Sequence, residues 1–128
     1  MKLQKLIFMI CCIIYLASCA KPSTKASGTY IGNAFISSDS YQCSVVLTAN
    51  GDNMVDFSTD INTDTYIING ISASITNNVV TLIFANENAT EGQVASLSAA
   101  VTDNVLAFTM LIMQSDNTTY PITYSGNK

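Results

Sequence analysis

From residue 28 onward the chain is a succession of short apolar runs, each closed by a cluster of Asn, Asp, Gly or Ser. No stretch carries apolar residues at the spacing of an amphipathic helix. Val, Ile, Thr, Tyr and Phe dominate the runs, which is the composition of strands. In Ile71-Ser72-Ala73-Ser74-Ile75-Thr76 the alternation is strict, so Ile and Ala face inward while Ser and Thr face outward. Ala95, Leu97, Ala99 and Val101 alternate likewise with Ser96, Ser98 and Ala100. Val79–Phe84 and Leu106–Met113 are apolar on both sides, as expected of a strand covered twice or turned toward a partner.

The pattern predicts eight strands, near Gly28–Ser37, Tyr41–Ala49, Met54–Thr59, Tyr66–Thr76, Val79–Ala85, Gln93–Thr102, Val105–Gln114 and Thr119–Ser125. Asn50-Gly51-Asp52-Asn53, Asn77-Asn78 and Asp103-Asn104 separate them, and these residues tolerate positive φ. Such short connections force antiparallel neighbours, because a parallel crossover needs about a dozen residues or more. Asn69-Gly70 falls inside the fourth run: as a turn it makes nine strands, as a bulge eight, and the bulge is favoured, since a strand of Tyr66–Ile68 alone would be very short. The fold class is therefore all-β, an antiparallel meander of about eight strands closing into an up-and-down barrel. The small Ala95, Ala99 and Ala100 against bulky Phe108 and Met110 suit a tapered interior. A membrane-spanning barrel is disfavoured: it needs strands of about 9–11 residues with aromatic girdles, whereas several runs are shorter and Trp is absent.

Residues 1–27 break this pattern. Lys2 and Lys5 precede an apolar run from Leu6 to Leu16, and Leu16-Ala17-Ser18-Cys19 follows. That stretch resembles the lipobox of bacterial lipoprotein signal peptides, and it is too brief to span a bilayer comfortably. The resemblance implies cleavage of residues 1–18, lipidation of Cys19, and a protein held at the outer membrane by its acyl chains, palmitate among them. The absence of acidic sorting residues after Cys19 favours the periplasmic face over the cell surface. Residues 19–27 are then the lipidated Cys and a small, polar, Pro-bearing flexible tether, and residues 28–128 the domain.

Composition narrows function mainly by exclusion. After cleavage three lysines face nine acidic residues and no Arg exists, a formal charge of about −6. There is no basic patch to neutralise phosphates, so nucleic acid is not a partner. Only Cys43 survives as a free thiol, so no intramolecular disulfide forms. Cys43 shares a strand face with Tyr41, Val45 and Leu47, which predicts a buried, inert side chain. No His is present, and no Gly-x-Ser-x-Gly elbow occurs, which leaves no catalytic residue to name and predicts a non-enzyme.

Asp60-Ile61-Asn62-Thr63-Asp64 imitates the start of a calcium loop, but Thr65 and Ile71 stand where Gly and Glu are required. No metal or other cofactor is expected. Asn88-Ala89-Thr90 and Asn117-Thr118-Thr119 match a glycosylation sequon but read as loop residues.

Gly28-Thr29-Tyr30 resembles the Gly-x-aromatic first-strand motif of the calycin superfamily, the lipocalins and their relatives. Tyr120 to Lys128 is similar to the closing strand of small lipocalin-like lipoproteins of Bacteroidetes-type bacteria. The chain departs from the family in having Tyr30 in place of the usual Trp, and it lacks the Arg that packs over that ring. The resemblance implies a calycin-like barrel and a small apolar ligand inside it, with Tyr30, Phe84, Phe108 and Met110 as lining candidates. The alternative is an interaction or structural module that meets an envelope protein or glycan through the outer barrel face.

Overall fold

The structure, a computed structural model, describes residues 21–128. A single helical turn, α1 (Pro22–Ala26), leads into eight strands: β1 (Gly28–Ile36), β2 (Asp39–Ala49), β3 (Met54–Ile61) and β4 (Asp64–Thr76), then β5 (Val79–Ala85), β6 (Val94–Thr102), β7 (Val105–Met113) and β8 (Thr119–Asn127). Each strand pairs antiparallel with its sequence neighbour, and β8 pairs back onto β1 from Ile31↔Asn127 to Ile36↔Ile122. The result is a closed up-and-down barrel. At Asn77-Asn78 both φ angles are positive (53° and 65°), the twist that a two-residue hairpin between right-twisted strands requires.

The inward positions are apolar and the outward ones largely hydroxyl or amide, the arrangement of a barrel in water and the reverse of one in lipid. Eight strands enclose a space that side chains fill. Phe57 meets Phe108 edge to face at 5.4 Å, and Phe108 stacks on Tyr124 at 4.9 Å. Leu47, Ile61, Ile71, Leu82, Leu97 and Met110 complete the packing and are almost wholly buried.

The bulge at Asn69-Gly70 is present. Inward parity runs through Tyr66 and Ile68, slips by one, and resumes at Ile71 and Ala73. Gly70 takes φ of +73° there and its N–H donates to Asp56 Oδ1 at 2.9 Å. A second bulge was not anticipated. The β6–β7 register shifts between Val94 and Ser96, so Val94 points inward and Ala95 does not. Ala95 instead offers its carbonyl to the Asn86 N–H at 2.8 Å. Ala99 does oppose Phe108, whereas Leu97 opposes Met110 and Ala100 lies on the outer face against Ala107.

The segment expected to be a slack tether is folded from residue 22 on. Pro22 starts α1, as its fixed φ favours, and the turn lies across one end of the barrel. Ser23 donates from its hydroxyl to Gly51 O (2.6 Å) and from its N–H to Asp52 O (3.2 Å). Ala26 is fully buried, and its carbonyl accepts the Tyr30 hydroxyl at 2.7 Å. Cys19 and the signal-like residues before it lie outside the described residues.

Candidate functional site

The up-and-down topology gives the barrel two unlike ends. One holds α1, the β2–β3, β4–β5 and β6–β7 turns, and Lys128. The other holds the β1–β2 and β3–β4 turns and the two longer connections, residues 86–93 and 114–118.

The α1 end is closed. Tyr30 fills it, fully buried, and the Tyr124 hydroxyl donates to the Tyr30 carbonyl at 3.0 Å. Glycine at 126 makes this possible, since any Cβ there would overlap the Tyr124 ring and hydroxyl. Lys128 Nζ sits 5.4 Å from the centre of the Tyr30 ring, within cation–π reach. Burial raises the phenol of Tyr30, and raises that of Tyr124 to about 12, the latter helped by Cys43 nearby. Cys43 is itself buried and its thiol is pushed up by burial, which keeps it protonated and unreactive.

The loop end is open. β4 pairs with β5 only from Ser72↔Ile83 to Thr76↔Val79, so among the described residues its first half has no strand partner on that edge. Beside this free edge runs a cleft of about 360 Å³, lined by residues 65–69, Phe84, Asn86 and residues 92–94. Two further hollows, of about 380 and 400 Å³, adjoin it around Tyr120. Tyr66 is held in its neutral form by burial and by the neighbouring Tyr120 and Asp64. The aromatic floor therefore carries hydroxyls rather than charge.

The four sequence-named lining residues do not converge. Tyr30 caps the closed end, Phe108 and Met110 lie in the packed middle, and only Phe84 reaches a cleft, half-buried at the loop end. The residues missed by sequence reading are Tyr66, Asn69, Asn86 and Gln93. Only the unequal loop lengths hinted at them, because the 86–93 connection alone is long enough to leave an edge uncovered.

Among the described residues no three metal-ligating side chains come together. Asp56 is engaged by Asn50 and the Gly70 N–H, and Asp60 by the Thr65 hydroxyl. Asn62 simply turns the β3–β4 hairpin at φ 59°. Nor do the exposed aliphatics merge into one patch: Ile83 lies between Ser72 and Ser98 on the neighbouring strands.

No family model matches the chain, and no curated protein is similar to it. Among solved structures it resembles a crystal structure of a "putative outer membrane protein" from Bacteroides fragilis, with a TM-score of 0.66 at 14% identity. The match covers 85% of this chain and 53% of that one, so the chain spans about half that protein's length. At this identity the likeness is one of fold.

Proposed function

We propose that this protein is a non-enzymatic envelope lipoprotein, anchored through Cys19, that recognises an envelope component with the cleft at its loop end. The observation that carries this reading is the contrast between a packed interior and an open, aromatic-floored cleft. The lipobox-like Leu16-Ala17-Ser18-Cys19 supports the anchor, and the outer-membrane name borne by the structural neighbour agrees with an envelope location. The periplasmic leaflet of the outer membrane remains the location that the residues after Cys19 favour.

An apolar ligand inside the barrel would have to displace the Phe57, Phe108 and Tyr124 stack, so binding is assigned to the mouth. Half-buried Phe84 offers a face on which a sugar ring or a peptide side chain can stack, with the buried Tyr66 ring beneath the cleft. Asn69, Asn86 and Gln93 supply amide donors and acceptors around them. The free edge of β4 adds main-chain groups of the kind that an extended peptide pairs with.

The test is a photoreactive side chain placed at Phe84 and, as control, at Ala107 on the outer wall, in intact cells. A specific adduct from position 84 alone supports the reading. Adducts from neither position, together with a lipid-like molecule released from the purified barrel by solvent, would return the function to the interior.

A further inference from the structure

Charge on this barrel is sorted by end. All three lysines of the described chain, Lys21, Lys25 and Lys128, lie at the α1 end, with Asp52 and Asp103 and, just inside β3 beside Asn50, Asp56. Six acidic residues and no basic one lie at the loop end: Asp39, Asp60, Asp64, Glu87, Glu91 and Asp116. The α1 end is also where the chain leads back to Cys19. Lys21 is fixed there by its ion pair with Asp52 (3.0 Å) and by the α1 contacts that follow it. Only Ala20 separates Lys21 from Cys19, so the two lie at most ~7 Å apart when the chain is fully extended. A nine-residue strand, by contrast, spans about 30 Å.

Resting on the lipid anchor proposed above, we infer that the α1 end is a membrane-docking face. The lipid on Cys19 seats α1 and the three lysines directly on the anionic headgroups of the anchoring leaflet, and the acidic loop end points away from it. The leash is too short to let the barrel turn over. Screening makes the charges agree with this pose: at physiological salt the Debye length is about 8 Å. At the α1 end the lysines offset the aspartates beside them, so that end meets the headgroups without net negative charge, while the six acidic residues of the loop end lie a barrel-length away. The same pose keeps the cleft beside β4 clear of lipid and open to a partner.

The test uses the full chain, produced with its lipid and reconstituted in vesicles of phosphatidylethanolamine and phosphatidylglycerol. Cys43 is buried and stays unlabelled, so Asn104→Cys at the α1 end and Asn88→Cys at the loop end each accept one fluorophore. Headgroup-attached nitroxide lipids are expected to quench the label at 104 roughly threefold more than that at 88, given the barrel-length separation. A Gly/Ser insertion of about twelve residues between Ala20 and Lys21 should abolish that difference by lengthening the leash. Equal quenching at both positions in a protein whose intact mass includes the lipid overturns the orientation alone. A protein whose mass shows no lipid overturns the anchor, and this pose with it.

Discussion

The two ends of the barrel are built from the same strands, yet they differ in almost every physical respect. The α1 end buries Tyr30, threads hydroxyls to carbonyls, uses glycine to bring β1 and β8 close, and collects the lysines. The loop end leaves Phe84 and Tyr120 half-buried at the margin of solvent, interrupts the β4–β5 ladder, and collects acidic side chains. Closing one end fully lets the other remain open without unravelling the sheet. Stability and attachment belong to the first, and recognition to the second.

The comparison can be broken most forcefully by truncating one aromatic at each end. Tyr30→Ala should cost about 4 kcal/mol, because a fully buried ring and its hydroxyl bond to Ala26 are both lost. Phe84→Ala should cost about 1 kcal/mol, since that ring is already half in water. Urea unfolding followed by far-ultraviolet circular dichroism checks both, and equal losses would erase the asymmetry.

A smaller effect isolates one bond of the closed end. Tyr124→Phe keeps the stack on Phe108 but leaves the buried Tyr30 carbonyl without its donor, a loss of about 1–2 kcal/mol in the same measurement.

The pH dependence sharpens the point further. Tyr124 titrates near 12 in the folded protein, above the usual tyrosine value of about 10. The unfolded chain therefore loses its proton first. The stability contributed is complete below pH 10 and is lost as pH rises through about 12. Urea midpoints should fall across that window in the wild type and fall less in Tyr124→Phe.

The smallest expected effect lies at the other end. Asp116 is fully exposed, and the hydroxyl and N–H of Thr118 hold its carboxyl below the usual carboxylate range. The favoured ionised form is present at neutral pH and is lost only as pH falls through that lowered value. Asp116→Asn should leave the urea midpoint at neutral pH essentially unchanged, while removing the acid titration of the Thr118 amide seen by NMR.

Much of this architecture was legible from pattern. Alternation in residues 71–76 marked the buried face, and Asn77-Asn78 marked a tight turn. Asn69-Gly70 marked a bulge because Tyr66–Ile68 alone would be too short a strand, and the structure, with both Ile68 and Ile71 inside, agrees. Residues 94–96 hid a second bulge because Ala95 is small enough to suit either face. The cleft was hardly legible, since only the length of the 86–93 connection hinted at it. It depends on where β5 stops relative to β4, and a strand's own residues do not encode its neighbour's length.

Tyr30, Phe108 and Met110 looked like pocket residues for a related reason. Apolar side chains that face inward read alike whether they line a cavity or fill it.

Sequence by itself indicated a meander of about eight strands, a buried Cys43 and too few basic residues for a basic patch, all of which follow from short-range chemistry and composition. Tertiary structure alone decided that the interior is filled, that residues 22–26 fold onto the barrel as a plug, and that charge separates by end. Those outcomes depend on how eight strands stagger as they close, which brings together residues as distant in the chain as Lys25 and Lys128.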